Sequence, residues 1–173
     1  MPDLFAHALT GYVLATLLSW RYEAVTPPFV TLAMVGAVSP DLNRIDLVVP
    51  EATVEALFGI PWSWRPLHRL GGTLLVVAVG AVLVDRRYRR LAVALVAVGA
   101  ASHYVLDALL YTPSGLSTRL LWPFTGYRVA ADGLYVSSDR WPAAVALVAS
   151  LVVWGLDRRH SSGSGSAPTG SDA

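Results

Sequence analysis

Between Gly99 and Pro113 the chain reads GAASHYVLDALLYTP. An imidazole and a carboxylate, His103 and Asp107, sit there in a run otherwise apolar enough to lie in lipid, where an ionisable group needs a cavity, a partner or a metal. Four positions apart on a helix is about one turn along the same face, so the two side chains can grip one cation. The same pair can instead form a hydrogen bond that ties two helices together, as short polar pairs do in membranes.

The remaining donors are few. Of four histidines, His7, His68 and His103 lie in or beside apolar runs, and Asp41 closes another in SPD. Cysteine is absent, so thiolate nucleophiles and thiolate metal sites are excluded, and a metal must be held by imidazole and carboxylate. The chain has thirteen arginines, no lysine and twelve acidic residues for a net charge of +1, which gives no electrostatic footprint for nucleic acid.

With 54% hydrophobic and 14% charged residues over 173 positions, the composition departs from the soluble average and points to a single membrane domain. Apolar runs at Leu4 to Trp20, Phe29 to Val38, Leu70 to Val84, Leu91 to Leu110 and Pro142 to Leu156 predict an all-α polytopic membrane bundle. About five hydrophobic helices are expected, four or five of them spanning. Only the fourth run has the roughly 20 residues a spanning helix needs; arginines, Trp and Tyr at the run ends supply the interfacial chemistry expected of membrane helices. Residues 1–158 form this domain, and 159–173, low in apolar residues and rich in Ser and Gly, read as a disordered cytoplasmic tail. The start MPDLFAHALTGY carries no basic stretch before its apolar run, so it reads as a first helix rather than a signal peptide.

Arginines set an orientation. Asp85 to Arg90 holds four of them and Arg158-Arg159 follows the last run, which puts both on the cytoplasmic side of the plasma (inner) membrane by the positive-inside tendency. Alternation then gives an outside N-terminus and a cytoplasmic C-terminus. It also brings His7, Asp41, His68, His103 and Asp107 to one level near the outer face, although the arginine argument used none of them. Imidazole and carboxylate ligands with room for water suit hydrolytic zinc or manganese.

Five short stretches carry a family resemblance: His7 in HALTG, Asp41 in SPDLNRID, His68 in LHRLGG, SHYVLD from Ser102 to Asp107, and LLWP from Leu120 to Pro123. In this order they resemble the LexA-regulated inner-membrane metal-dependent hydrolases, the YdjM-like family, over nearly the whole chain to about Val129. The order His, Asp, His, His-x-x-x-Asp is also similar, more loosely, to the first half of the metal-site series in zinc-dependent phospholipase C and P1-type nucleases, which implies phosphoester hydrolysis. Two departures stand out. Asn43 occupies the second acidic place of the family's PDxD, with Asp46 as a possible substitute, and a second histidine near His68 is replaced by Thr73 or by Ser63, depending on the alignment.

These observations together imply a membrane-bound metal-dependent hydrolase acting on a phosphoester or lipid-like substrate at the extracytoplasmic face. His7, Asp41, His68, His103 and Asp107 are the expected ligands of a divalent metal, zinc or alternatively manganese, with Asp41 or Asp107 bridging if there are two ions. Asp41, His68 and Arg69 are placed at the reaction, Arg69 as the fork for an anionic group. The partners are the bilayer and a small-molecule or lipid phosphoester, with no nucleic acid. The alternatives are an inactive membrane protein with a structural polar or metal cluster and, last, a small transporter component.

Overall fold

The computed structural model describes residues 4–117, 119–128 and 130–163. Six α-helices dominate: α1 (Leu4–Ser19), α2 (Pro27–Val38), α3 (Glu51–Phe58), α4 (Leu70–Leu83), α5 (Arg89–Ala108) and α6 (Trp141–Gly163). Tight 3-10 segments at Ser39–Leu47 and Arg65–His68 lead away from α2 and into α4, and an antiparallel pair, β1 (Tyr111–Leu116) and β2 (Ala130–Asp132), follows α5.

The helical class is therefore as expected, and of the four or five spans expected two meet the length and composition of a crossing helix. Two helices are long and apolar enough to cross a bilayer, α5 at 20 residues and Trp141–Arg159 of α6 at 19 residues. At about 1.5 Å per residue, α1, α2 and α4 reach only about 24, 18 and 21 Å, against a hydrocarbon core of about 30 Å. Pro40 and the turns at Arg21 and Val84 end these helices within a residue of the apolar runs. At the other end of the chain, α6 continues to Gly163, so the stretch expected to leave the helix at 159 does so later. Residues 164–173 of the expected tail lie outside the described residues.

Small residues decide the helix packing. A Cβ added to Gly99 would sit 2.0 Å from the Ala33 carbonyl oxygen, and one added to Gly36 would sit 2.3 Å from that of Val96. The backbones of α2 and α5 are thus in direct contact, the small-residue mode of membrane helix association. On the outside the polarity is apolar: Val148, Leu151 and Val152 of α6 and Leu75, Val79 and Val82 of α4 are exposed, whereas His7, Asp41, His68 and His103 are buried. Polar groups inside and aliphatic groups outside is the reverse of a soluble bundle.

The long connectors are built rather than loose. Glu51 accepts from the Trp64 N–H at 2.9 Å and the Ser63 hydroxyl at 3.0 Å, and the Trp64 indole donates to the Val49 carbonyl at 2.9 Å. These bonds fold α3 back so that Arg65–His68 arrives beside the end of α2. After β1, the chain returns across the start of α4, where Leu70 N–H donates to Leu120 O at 2.8 Å and Gly71 N–H to Trp122 O at 3.0 Å. Two of the N–H groups that a helix start leaves unsatisfied are met in this way. Far from this end, the Trp20 indole donates to Asp157 at 2.8 Å and joins α1 to α6.

Candidate metal centre

The end of α2 sets the site. Pro40 brings no N–H to the Ala37 carbonyl three residues back, so that acceptor is open to a side chain. His103 fills the role: its Nδ1 donates to Ala37 O at 2.8 Å, across the contact that Gly99 permits. His68 does the same one turn on, with Nδ1 3.1 Å from Pro40 O. A carbonyl can only accept, so in the neutral ring each Nδ1 carries the proton and each Nε2 presents a bare lone pair, the tautomer of a metal ligand.

Both Nε2 atoms face one carboxylate. His68 Nε2 is 2.8 Å and His103 Nε2 is 3.4 Å from Asp107 Oδ2, while His7 Nε2 is 3.8 Å from Oδ1. On the other flank, Asp41 Oδ1 is 3.6 Å from His68 Nδ1 and Oδ2 is 3.3 Å from the Arg44 guanidinium. The imidazoles of His7 and His103 stack, with centroids 3.9 Å apart and planes 20° apart, and both are 0% exposed.

These atoms are short of partners. Both ring nitrogens of His7, Nε2 of His103, both oxygens of Asp41 and Oδ1 of Asp107 are buried with no hydrogen-bond partner among the described residues. A bare nitrogen beside a carboxylate oxygen is lone pair against lone pair, and leaving such groups unmade in the interior is costly. A divalent cation removes the conflict. Donors about 2.0–2.1 Å from a tetrahedral zinc stand about 3.4 Å from each other, which is the scale of the distances above. Two overlapping sets meet this condition, His7 with His103 and Asp107, and Asp41 with His68 and His103, each with its ligating atoms within 4.8 Å of one another. The residues therefore fit the metal.

Electrostatics at the rim agree. Burial pushes the Asp41 carboxyl above the usual carboxylate range, against the pull of His103 and Arg44. Burial also works against charge on His68, but the Asp107 hydrogen bond and the charges of Asp107 and Asp41 outweigh it and hold its pKa above the ordinary imidazole value. Without a metal, a proton takes part of the metal's place.

All five expected ligands thus meet, from α1, the two 3-10 segments and α5. Arg69 is set apart from them. It caps α4, its guanidinium lies 5.3 Å from the Trp122 ring centroid, and it lines a cavity of about 650 Å³ whose inner wall includes His68 and Asp107. Asn43 lines the same cavity, and its Oδ1 is buried with no hydrogen-bond partner among the described residues. Asp46 is no substitute, since it accepts from the Glu51 N–H at 3.1 Å at the start of α3. Of the two positions weighed for a second histidine, Ser63 is held by Glu51 and Thr73 is hydrogen-bonded to the Tyr104 hydroxyl.

Sequence reasoning missed three cavity residues, Arg65, Arg119 and Arg128. The available signal was their setting: arginines in the two long connectors, apart from the clusters at Asp85–Arg90 and Arg158-Arg159 from which the orientation was read. It also missed the carbonyls of Ala37 and Pro40, which only the fold turns toward the rings. Residues 1–166 match the family model described as YdjM inner membrane protein. No curated protein and no solved structure matches significantly.

Proposed function

The chain belongs to the YdjM inner membrane protein family and is a membrane protein, and from that premise we propose that it is a metal-dependent hydrolase of phosphoester or lipid-like substrates. One observation carries the reading: imidazoles from three segments converge on Asp107 beside an open cavity, and both ring nitrogens of His7, Nε2 of His103 and Oδ1 of Asp107 are buried with no hydrogen-bond partner among the described residues. His7, His103 and Asp107 would hold a divalent ion from within the bundle, and Asp41 and His68 from the cavity side. Asp41 or Asp107 would bridge if two ions bind. Nitrogen and oxygen donors suit zinc, with manganese the alternative. When bound, such an ion supplies a Lewis acid and a water acidic enough to attack near neutral pH.

The chain's own residues do the rest. His68 reaches the cavity wall with Nδ1 on the Pro40 carbonyl and Nε2 2.8 Å from Asp107, which fixes the ring so that Nε2 holds a proton shared with the carboxylate when no ion is bound and is free to ligate once that proton leaves. Asp41 flanks the His68 ring, with Oδ1 3.6 Å from Nδ1, and burial favours its protonated form when no ion is bound. Arg69, propped on Trp122, presents a fork for the anionic group of the substrate. The aliphatic outer faces place the site in or near the bilayer, with α5 and α6 spanning and the shorter α1 and α4 beside them in a locally thinned layer. Arg21, Arg86, Arg87 and Arg158 lie at helix ends opposite the site, which supports an outside N-terminus, a cytoplasmic C-terminus and a site at the extracytoplasmic face.

The test is turnover. Purified, metal-loaded protein is offered a panel of phosphomonoesters and phosphodiesters beside His103→Ala and Asp107→Ala. Metal-dependent hydrolysis that both variants lose supports the proposal. Bound metal with no turnover on any of them leaves a structural cluster instead, and a transporter would need matching polar groups in the inner halves of these helices.

A further inference from the structure

Four arginines line the cavity next to His68 and Asp107: Arg65, Arg69, Arg119 and Arg128. Two come from the junction of the 3-10 turn with α4, and two from the excursion between β1 and β2. None of the four forms an ion pair among the described residues, whereas Arg44 pairs with Asp41 and Arg87 with Asp85. The carboxylate in this wall is Asp107, which already faces three imidazoles. Positive charge is thus gathered in a concave space and left for something outside the chain to balance.

The number of forks indicates how much. A terminal phosphate offers three free oxygens, which two guanidiniums in paired-donor contact satisfy, so four guanidiniums match two phosphate groups. At about 650 Å³ the cavity is of ordinary ligand-site size and larger than one phosphate requires. The two arginine-bearing walls are fastened together by the Leu70 to Leu120 and Gly71 to Trp122 hydrogen bonds, so the cluster is prepared rather than assembled on binding. Arg69 is further fixed against Trp122.

We infer that this cavity binds a ligand carrying two linked phosphate groups, a diphosphate, with its phosphates among Arg65, Arg69, Arg119 and Arg128 and its outer end open to the membrane surface. As a statement about substrate this rests on the hydrolase reading; as a statement about binding it does not. The diphosphate can belong to a lipid or to a soluble compound.

Binding to full-length protein in detergent, freed of metal by chelation and dialysis, separates these questions. Inorganic diphosphate is expected to bind about tenfold or more tightly than orthophosphate, and Arg119→Ala/Arg128→Ala to lose about tenfold of that affinity. Zinc uptake by the variant should be unchanged, because neither arginine touches the imidazole cluster. Arg65→Ala/Arg69→Ala is the second variant should the first fold poorly. Equal affinity for the two anions, or unchanged diphosphate affinity in the variants, overturns the inference. Protein reconstituted into phosphatidylcholine vesicles with and without farnesyl diphosphate distinguishes the sources: competition by the lipid against inorganic diphosphate assigns a lipid headgroup, and its absence a soluble diphosphate. Diphosphate binding without phosphoester turnover would sink the hydrolase reading alone, whereas turnover without a preference for diphosphate would sink this one alone.

Discussion

His103 Nδ1 donates to the Ala37 carbonyl at 2.8 Å, and this single bond between α5 and α2 turns His103 Nε2 to within 3.4 Å of Asp107. Orientation of a ligand by a backbone carbonyl is worth about 10–100-fold in metal affinity where such bonds have been removed. Replacing the ligand itself should cost at least as much. His103→Ala and Asp107→Ala are therefore expected to lower zinc affinity by more than about 100-fold, measured by competition with a coloured chelator. Unchanged affinity in both would remove the metal centre.

The same bond depends on Gly99. A methyl group there meets the Ala33 carbonyl, and forcing two packed backbones apart costs about 1–3 kcal/mol or more. Gly99→Ala should lower the thermal midpoint and weaken metal binding together. Gly155, inside α6 with nothing within 4 Å of an added Cβ, is the control, and Gly155→Ala should leave metal binding unchanged and hold or slightly raise the midpoint. A stable Gly99→Ala variant with normal metal uptake would refute the link between helix contact and site.

Metal binding should stabilise the protein strongly. Free ion at about 100 times its dissociation constant contributes about 2.7 kcal/mol to the folded state, and it also relieves the unmatched lone pairs around Asp107. Chelation is expected to lower the unfolding temperature of purified protein by several degrees, with recovery on adding zinc. No shift on chelation of protein shown to hold metal would contradict this.

The pH dependence has opposite signs in the two forms. The folded pKa of His68 lies above its unfolded value, so its contribution to the metal-free protein is full below about pH 6.5 and is lost as pH rises through the folded pKa. Asp41, also raised, stabilises when protonated, and that contribution goes as pH rises from its unfolded value through its folded one. A metal needs both groups deprotonated. The stabilisation conferred by zinc should accordingly grow between about pH 5.5 and 8, as read by thermal unfolding with and without chelator. A zinc effect that shrinks with rising pH would show that these groups are not ligands.

Arg69 gives a kinetic prediction. Loss of a charge-assisted hydrogen bond is worth about 1.5–3 kcal/mol, so Arg69→Ala should reduce kcat/KM on an anionic substrate by about ten- to a hundredfold. Arg69→Lys should recover little, because an ammonium lacks the paired-donor fork that the guanidinium holds beside Trp122. Full activity in Arg69→Ala would take this residue out of the site.

Much of the centre was readable from residue types. His103 and Asp107 share a face because helical periodicity dictates it, and Asp41 falls at the end of α2 because Pro40 stops the helix there. Other features needed three dimensions. Ala37 and Pro40 act through their carbonyls, which any residue carries, so no side chain announces them. Asp46 and Asn43 looked exchangeable in sequence; the 3-10 turn sends one to the start of α3 and the other to the cavity. The apolar runs at Leu4, Phe29, Leu70 and Leu91 gave the helices α1, α2, α4 and α5 nearly to the residue, because Pro, Gly and Arg clusters punctuate them in the sequence. The arginines of the β1–β2 excursion escaped notice because strand pairing, with its bulge between Tyr111 and Leu116, brings distant positions to one wall.

The hydrogen bonds from Leu70 and Gly71 to the carbonyls of Leu120 and Trp122 have a bearing on how the mouth evolves and moves. Since those carbonyls complete the cap of α4, the excursion is a structural member of that helix rather than a detachable flap. Lifting it would strip two main-chain donors of their acceptors at a margin where water is scarce. Variation in what the mouth admits is then expected through exchange of side chains along a fixed rim, with the backbone path of 119–123 held constant.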